Sequence, residues 1–153
     1  MNMNMNMNMN MNMNMNIKLR NTLGEIISAA IAIIWVYSKL DAAANMSIVL
    51  ISQVLVQGIG ISILASILFA IVMSIFSSII TGSYEKNVID ERDTMIELYA
   101  MRLSSVIFGI SIVIILALLG WFNLNINFGI IAITLAGFFA SIASNFLKIY
   151  FYK

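Results

Sequence analysis

More than half of the charged side chains fall in one short segment, Tyr84 to Arg102, which reads YEKNVIDERDTMIELYAMR. Asp90, Asp93 and Glu97 recur there at helical spacing, and at about 100° per residue they lie within about 60° of one another. Three carboxylates on one face offer oxygen ligands to a hard divalent cation. They equally suit a basic partner surface, or Arg and Lys from the N-terminal segment and the C-terminal tail. The plainest alternative is a solvated acidic face made tolerable by the helix dipole. Carboxylates on a single helix seldom enclose an ion, so no metal and no cofactor is expected. General acid–base work needs a pocket and a shifted pKa, which the sequence does not supply, so no catalytic residue is expected. The remaining role is docking, carried by Asp90, Glu91, Arg92, Asp93, Glu97 and Arg102. Asn87 suits an N-cap with Asp90 at N3, predicting a helix from about residue 88 to 102 that runs into the next span. Ile89, Ile96, Ala100 and Leu103 form its apolar stripe, with Tyr99 and Arg92 at the edge, while Glu91 and Arg102 share a third face.

The rest of the chain explains why the charge is so concentrated. Of 153 residues, 61% are hydrophobic and 10% charged, with a net charge of +1 and a mean hydropathy of +0.99. A soluble domain carries about 25% charged residues, so the lipid bilayer must be the solvent here. The absence of Cys and His removes disulfides, Cys/His zinc sites, haem ligation and the Cys–His and Ser–His nucleophilic pairs. The near-neutral balance offers no basic surface to nucleic acid. A non-enzymatic protein of the cell membrane is the class that remains.

The stretches Ala42–Tyr84 and Leu103–Leu147 contain no charge, and Ile26–Ser38 is a shorter one. About 20 apolar residues cross the hydrocarbon, so the expectation is an all-α, membrane-embedded four-helix bundle. Its helices fall at about 19–40, 47–80, 103–122 and 127–148, with an amphipathic cytoplasmic helix between the second and third. Asn123, Asn125 and Asn127 with Trp121 and Phe122 suit an interfacial turn. The second helix, about 51 Å long if unbroken, either projects from the membrane or breaks at Gly58–Gly60. Lys18, Arg20, Lys86, Arg92, Arg102, Lys148 and Lys153 fall on one side of this layout and only Lys39 on the other. The positive-inside rule then puts both termini and the 84–102 loop in the cytoplasm.

The first sixteen residues, eight Met-Asn repeats, read as a disordered low-complexity segment outside the single four-helix domain at 17–153. Each Met, Met15 included, is a possible start. Lys18, Arg20 and Ala42-Ala43-Ala44 also resemble a secretory signal, against which stand Glu25, Lys39 and Asp41.

Inside lipid, helices associate through close backbone approach and interhelical hydrogen bonds, which small residues four apart permit. Helix 2 has such a row in Gly58, Ser62, Ser66, Ala70, Ser74 and Ser78. Helix 4 has two, Ala132-Ala136-Ala140-Ser144 and Gly137-Ser141, ending at Asn145. Helices 2 and 4 are therefore expected to be the tight pair, or one of them to face a second protomer.

Asp90-Glu91-Arg92-Asp93-x-x-Ile96-Glu97-x-x-Ala100-x-Arg102, set between the second and third of four hydrophobic segments, resembles a group of small prokaryotic four-helix membrane proteins with a D-E-R-[DE]-x-x-I loop motif. The resemblance covers roughly residues 17–153 in layout, with Tyr99 standing where the pattern often has a basic residue. It implies the same fold and a loop that matters, and it lends no activity, because that group is one of unknown function. The expected function is thus an accessory or regulatory membrane subunit that docks a membrane or cytoplasmic protein through the acidic loop helix. The rival is a small homo-oligomeric transporter or channel lined by the helix 2 serines and Asn145. An immunity-type protein shielding a toxin's membrane target is a third reading.

Overall fold

The computed structural model describes residues 2–40, 46–81 and 90–152. Four helices make up this part of the chain: α1 (Asn2–Lys39), α2 (Ile48–Thr81), α3 (Glu91–Trp121) and α4 (Ile126–Tyr152). All four contain stretches long and apolar enough to cross a membrane, at Ile17–Lys39, Ile48–Ile79, Glu91–Trp121 and Ile126–Tyr152. Together with the composition, these spans support reading the chain as a multi-pass helical membrane protein.

Two boundaries differ from the sequence expectation, and of the two alternatives for the second helix the continuous one is found. α1 starts at Asn2, so the Met-Asn repeat, expected to be disordered, continues the first span as helix. Its alternation contains no helix breaker, and extending a helix that is already nucleated costs little per residue. α2 runs unbroken through Gly58 and Gly60. The loop helix and the third span are one helix, and its N-cap is Asp90 rather than Asn87; Asn87 lies outside the described residues.

α1 packs on α2 and α3 on α4, and α1 joins the two pairs by packing on α4, whereas α2 touches α4 only lightly. The expectation that helices 2 and 4 form the tight pair is therefore overturned. The reason lies on α1, whose own small-residue row, Gly24-Ser28-Ala32 with Ala29 beside it, is buried along its length. That row lets both neighbours approach α1 closely. Gly24 abuts the Phe69 ring, and a Cβ on Gly58 would lie 2.3 Å from Val36 Cγ2. Rising numbers on α1 thus meet falling numbers on α2, as an antiparallel pair requires.

The apolar core sits at one end of the bundle. Val36, Ile51 and Leu55 are buried there, with Trp35, Leu40, Met46, Ile130 and Ile131 packed around them. The turn into α4 is fixed at the same end by its asparagines. Asn123 takes the left-handed conformation with φ 51°, which Asn tolerates better than most residues. The Asn125 side-chain oxygen accepts from the Asn127 N–H at 2.9 Å. The Asn127 amide in turn donates to the Met46 carbonyl at 2.9 Å, tying the start of α4 to the start of α2. Beyond Gly58, no described residue of α2 is buried. Such an apolar surface has no place in water, but a helix satisfies its own backbone and can face lipid.

Gly58→Ala should lower stability in mild detergent by about 1–3 kcal/mol, because Val36 is β-branched and stiff in a helix and has little room to move aside. Gly60, which faces open space, should tolerate Ala with no loss. Thermal unfolding of the two variants checks the contrast.

Candidate functional site

The charged residues gather at the end of the bundle opposite the apolar core. α3 opens there on a reciprocal cap. Asp90 accepts from the Glu91 N–H at 2.7 Å, and the Asp93 carboxylate accepts from the Asp90 N–H at 3.0 Å. A helix leaves its first N–H groups without partners, and this box answers part of that need while putting acidic charge where the dipole favours it.

The same segment reaches the start of the first apolar span and the end of α4. Asp93 forms an ion pair with Lys18 of α1, in which both side chains are largely buried. The Arg92 guanidinium donates to the Phe151 carbonyl at 2.8 Å. It thereby places a cation at the C-terminus of α4, where the dipole is negative and carbonyls lack partners. A turn deeper on α4, Lys148 Nζ lies 3.5 Å from Glu25 Oε2 of α1. Two residues of α3 thus bind α1 at Lys18 and the end of α4, and a second ion pair joins α1 to α4 below them.

The acidic triad is split by this arrangement. Asp90 serves as the cap, Asp93 faces Lys18, and Glu97 stays exposed. Among the described residues, no three acidic side chains converge as a cation site would require. Ile96 and Ala100 are buried against the bundle, at 5% and 1% exposure. Ile89 lies outside the described residues, and Leu103 is half-buried. On the opposite face Glu91, Met95, Leu98 and Arg102 recur at i, i+4, i+7 and i+11, and all four are exposed.

The helix rows are used unequally. On α4, Ala140 and Ser144 are buried, Ala132, Ala136 and Gly137 are half-buried and Ser141 is exposed. Asn145 is 1% exposed, and its amide nitrogen meets no acceptor among the described residues. On α2, Gly58 is buried, Ser62, Ser66 and Ser78 are half-buried, and Ala70 and Ser74 are exposed. Sequence reasoning offers the basic residues of the N-terminal segment and the C-terminal tail as partners of the acidic face, but it does not pick out Lys18 for Asp93 or Glu25 for Lys148. The signal was present in their signs, since two cations and one anion flank the spans at the level of an acidic helix.

Comparison with family models, with curated proteins and with solved structures finds no match to this chain.

Asp90→Ala should cost about 0.5–2 kcal/mol and fray the first turn of α3. Arg92→Met should cost about 0.3–1 kcal/mol and loosen the last turn of α4 instead. Amide exchange resolved by residue separates the two effects, with faster exchange confined to the first turn of α3 in one variant and to the last turn of α4 in the other.

Proposed function

We propose that this protein is a non-enzymatic accessory subunit of the cell membrane, with both termini and the charged end in the cytoplasm. The outward face of α3 docks a partner. Orientation follows from the seven-to-one split of Lys and Arg across the spans. The observation that carries docking is the exposed strip Glu91, Met95, Leu98 and Arg102 on a helix end braced from behind. Tyr99 and Trp121 are both exposed, and the helix between them rises about 33 Å, close to the hydrocarbon thickness. Interfacial aromatics at those two levels leave the turns before Tyr99 outside the lipid, so Met95 and Leu98 are apolar side chains offered to a partner. The strip fits an amphipathic helix with apolar anchors, a base opposite Glu91 and an acid opposite Arg102.

This reading moves the docking surface within the acidic segment. Asp90, Arg92 and Asp93 brace the helix, while Glu91 and Arg102 flank the contact and Glu97 stands at its side. The D-E-R-[DE]-x-x-I pattern then combines residues that hold α3 in place with one that faces outward. A second reading, a small homo-oligomeric transporter, draws on half-enclosed crevices beside α1, facing α2 and α4, that Ser66 lines. Flux through proteoliposomes that disappears on Ser66→Leu would support it, and its absence for ions and organic cations would retire it.

A photo-crosslinking residue at Met95 should give one discrete protein adduct in native membranes, and the same residue at lipid-facing Val113 should give none. Failure at Met95 would remove the strip as a docking site. The chain lacks Cys, so single cysteines report orientation directly. Asn125→Cys should react with an impermeant maleimide on intact cells, and Thr94→Cys only after permeabilisation.

A further inference from the structure

Because α2 lies clear of α4 beyond the apolar core, two neighbouring half-enclosed crevices open beside α1, of about 240 and 210 Å³. Glu25 and Ser66 line both. The first also contains Phe69, and the second Ser62, Ser141 and Phe138. Glu25 is the sole acidic residue within the described spans apart from the projecting start of α3. An ionisable residue in a span marks a functional site by default.

We infer that these neighbouring crevices bind an organic ammonium at Glu25. The carboxylate supplies the opposite charge, and the serine oxygens supply acceptors. Ser66, for example, donates its own proton to the Ile63 carbonyl at 3.0 Å and keeps its lone pairs for a ligand. Phe69 and Phe138 supply rings for cation–π attraction and for an apolar body. A bare metal cation is a poorer match, since it needs several oxygens converging at about 2.0–2.6 Å and leaves the aromatic lining unused. The chain itself already places an ammonium at this carboxylate, because Lys148 Nζ stands 3.5 Å from Glu25 Oε2 while the Glu25 side chain remains 48% exposed. An external ammonium therefore competes with a tethered one. Two sources carry this chemistry, a free organic amine and the headgroup of an ethanolamine lipid.

The inference names what the crevice of the transport reading binds and rests on that geometry, so binding without flux would retire transport alone. The test is calorimetric titration of the full chain in dodecyl maltoside, a detergent without an ammonium. Benzylammonium is the probe and benzyl alcohol its neutral counterpart. Saturable binding of benzylammonium alone is expected. Glu25→Gln should weaken it by about tenfold or more, through loss of a charge-assisted contact. Lys148→Met should tighten it by roughly threefold to fivefold, the share a partly exposed ion pair can withhold. Added phosphatidylethanolamine that competes identifies the lipid as the source, and its failure to compete identifies a free amine. Equal binding of benzyl alcohol, or an affinity that Lys148→Met leaves unchanged or weakens in a protein of native helicity, would overturn the proposal.

Discussion

Most of the length of these four helices carries no charge, so strong directional interactions have to be made where the helices end. Inside lipid the hydrophobic effect does not drive helices together, and the bundle needs anchors that do not depend on hydrophobic burial. The start of α3 supplies them. Its first turn caps itself, its Asp93 takes Lys18, and its Arg92 takes the last turn of α4. The other features of that end are arranged around this clasp. Ile96 and Ala100 are drawn against the bundle, Lys148 is brought to Glu25, and the opposite face of α3 is left outward.

The other end is held by different means. Val36, Ile51 and Leu55 pack closely, and the Asn127 amide bridges to Met46. α1 connects the two ends, since its small-residue row allows both α2 and α4 to approach. α2 is anchored at the core end and increasingly unaccompanied away from it, which opens the crevice beneath Glu25. The exposed length of α2 and the outward strip of α3 are thus consequences of one design, in which α1, α3 and α4 form the fastened part.

Much of this was legible in the sequence because charge is so sparse. The gaps between charged residues gave the spans, and Asn123, Asn125 and Asn127 gave the turn, where each has a separate backbone or side-chain role. The helix start moved from Asn87 to Asp90 because both are good caps. Each has a carboxylate three residues on, and at Asp90 that carboxylate, Asp93, accepts from the cap's own N–H. The pairing of helices was misread for a different reason. A row of small residues says that a helix can be approached closely and says nothing of which neighbour approaches. The rows on α2 and α4 were conspicuous, while Gly24-Ser28-Ala32 was interleaved with Glu25 and Ile27 and went unnoticed. Arg and Lys of the N-terminal segment and the C-terminal tail stand among the expected partners of the acidic face, but spacing along a chain cannot tell which cation meets which carboxylate.

The clasp between α1 and α3 is the central claim, and charge exchange tests it most directly. Thermal unfolding in detergent would be compared for Lys18→Glu, Asp93→Arg and the double variant. Each reversal alone sets like charges face to face in a largely buried pair and should lower the midpoint clearly. The double variant should recover most of the loss, short of the part that Asp93 contributes to the cap. Losses that simply add, with no recovery on exchange, would contradict the clasp.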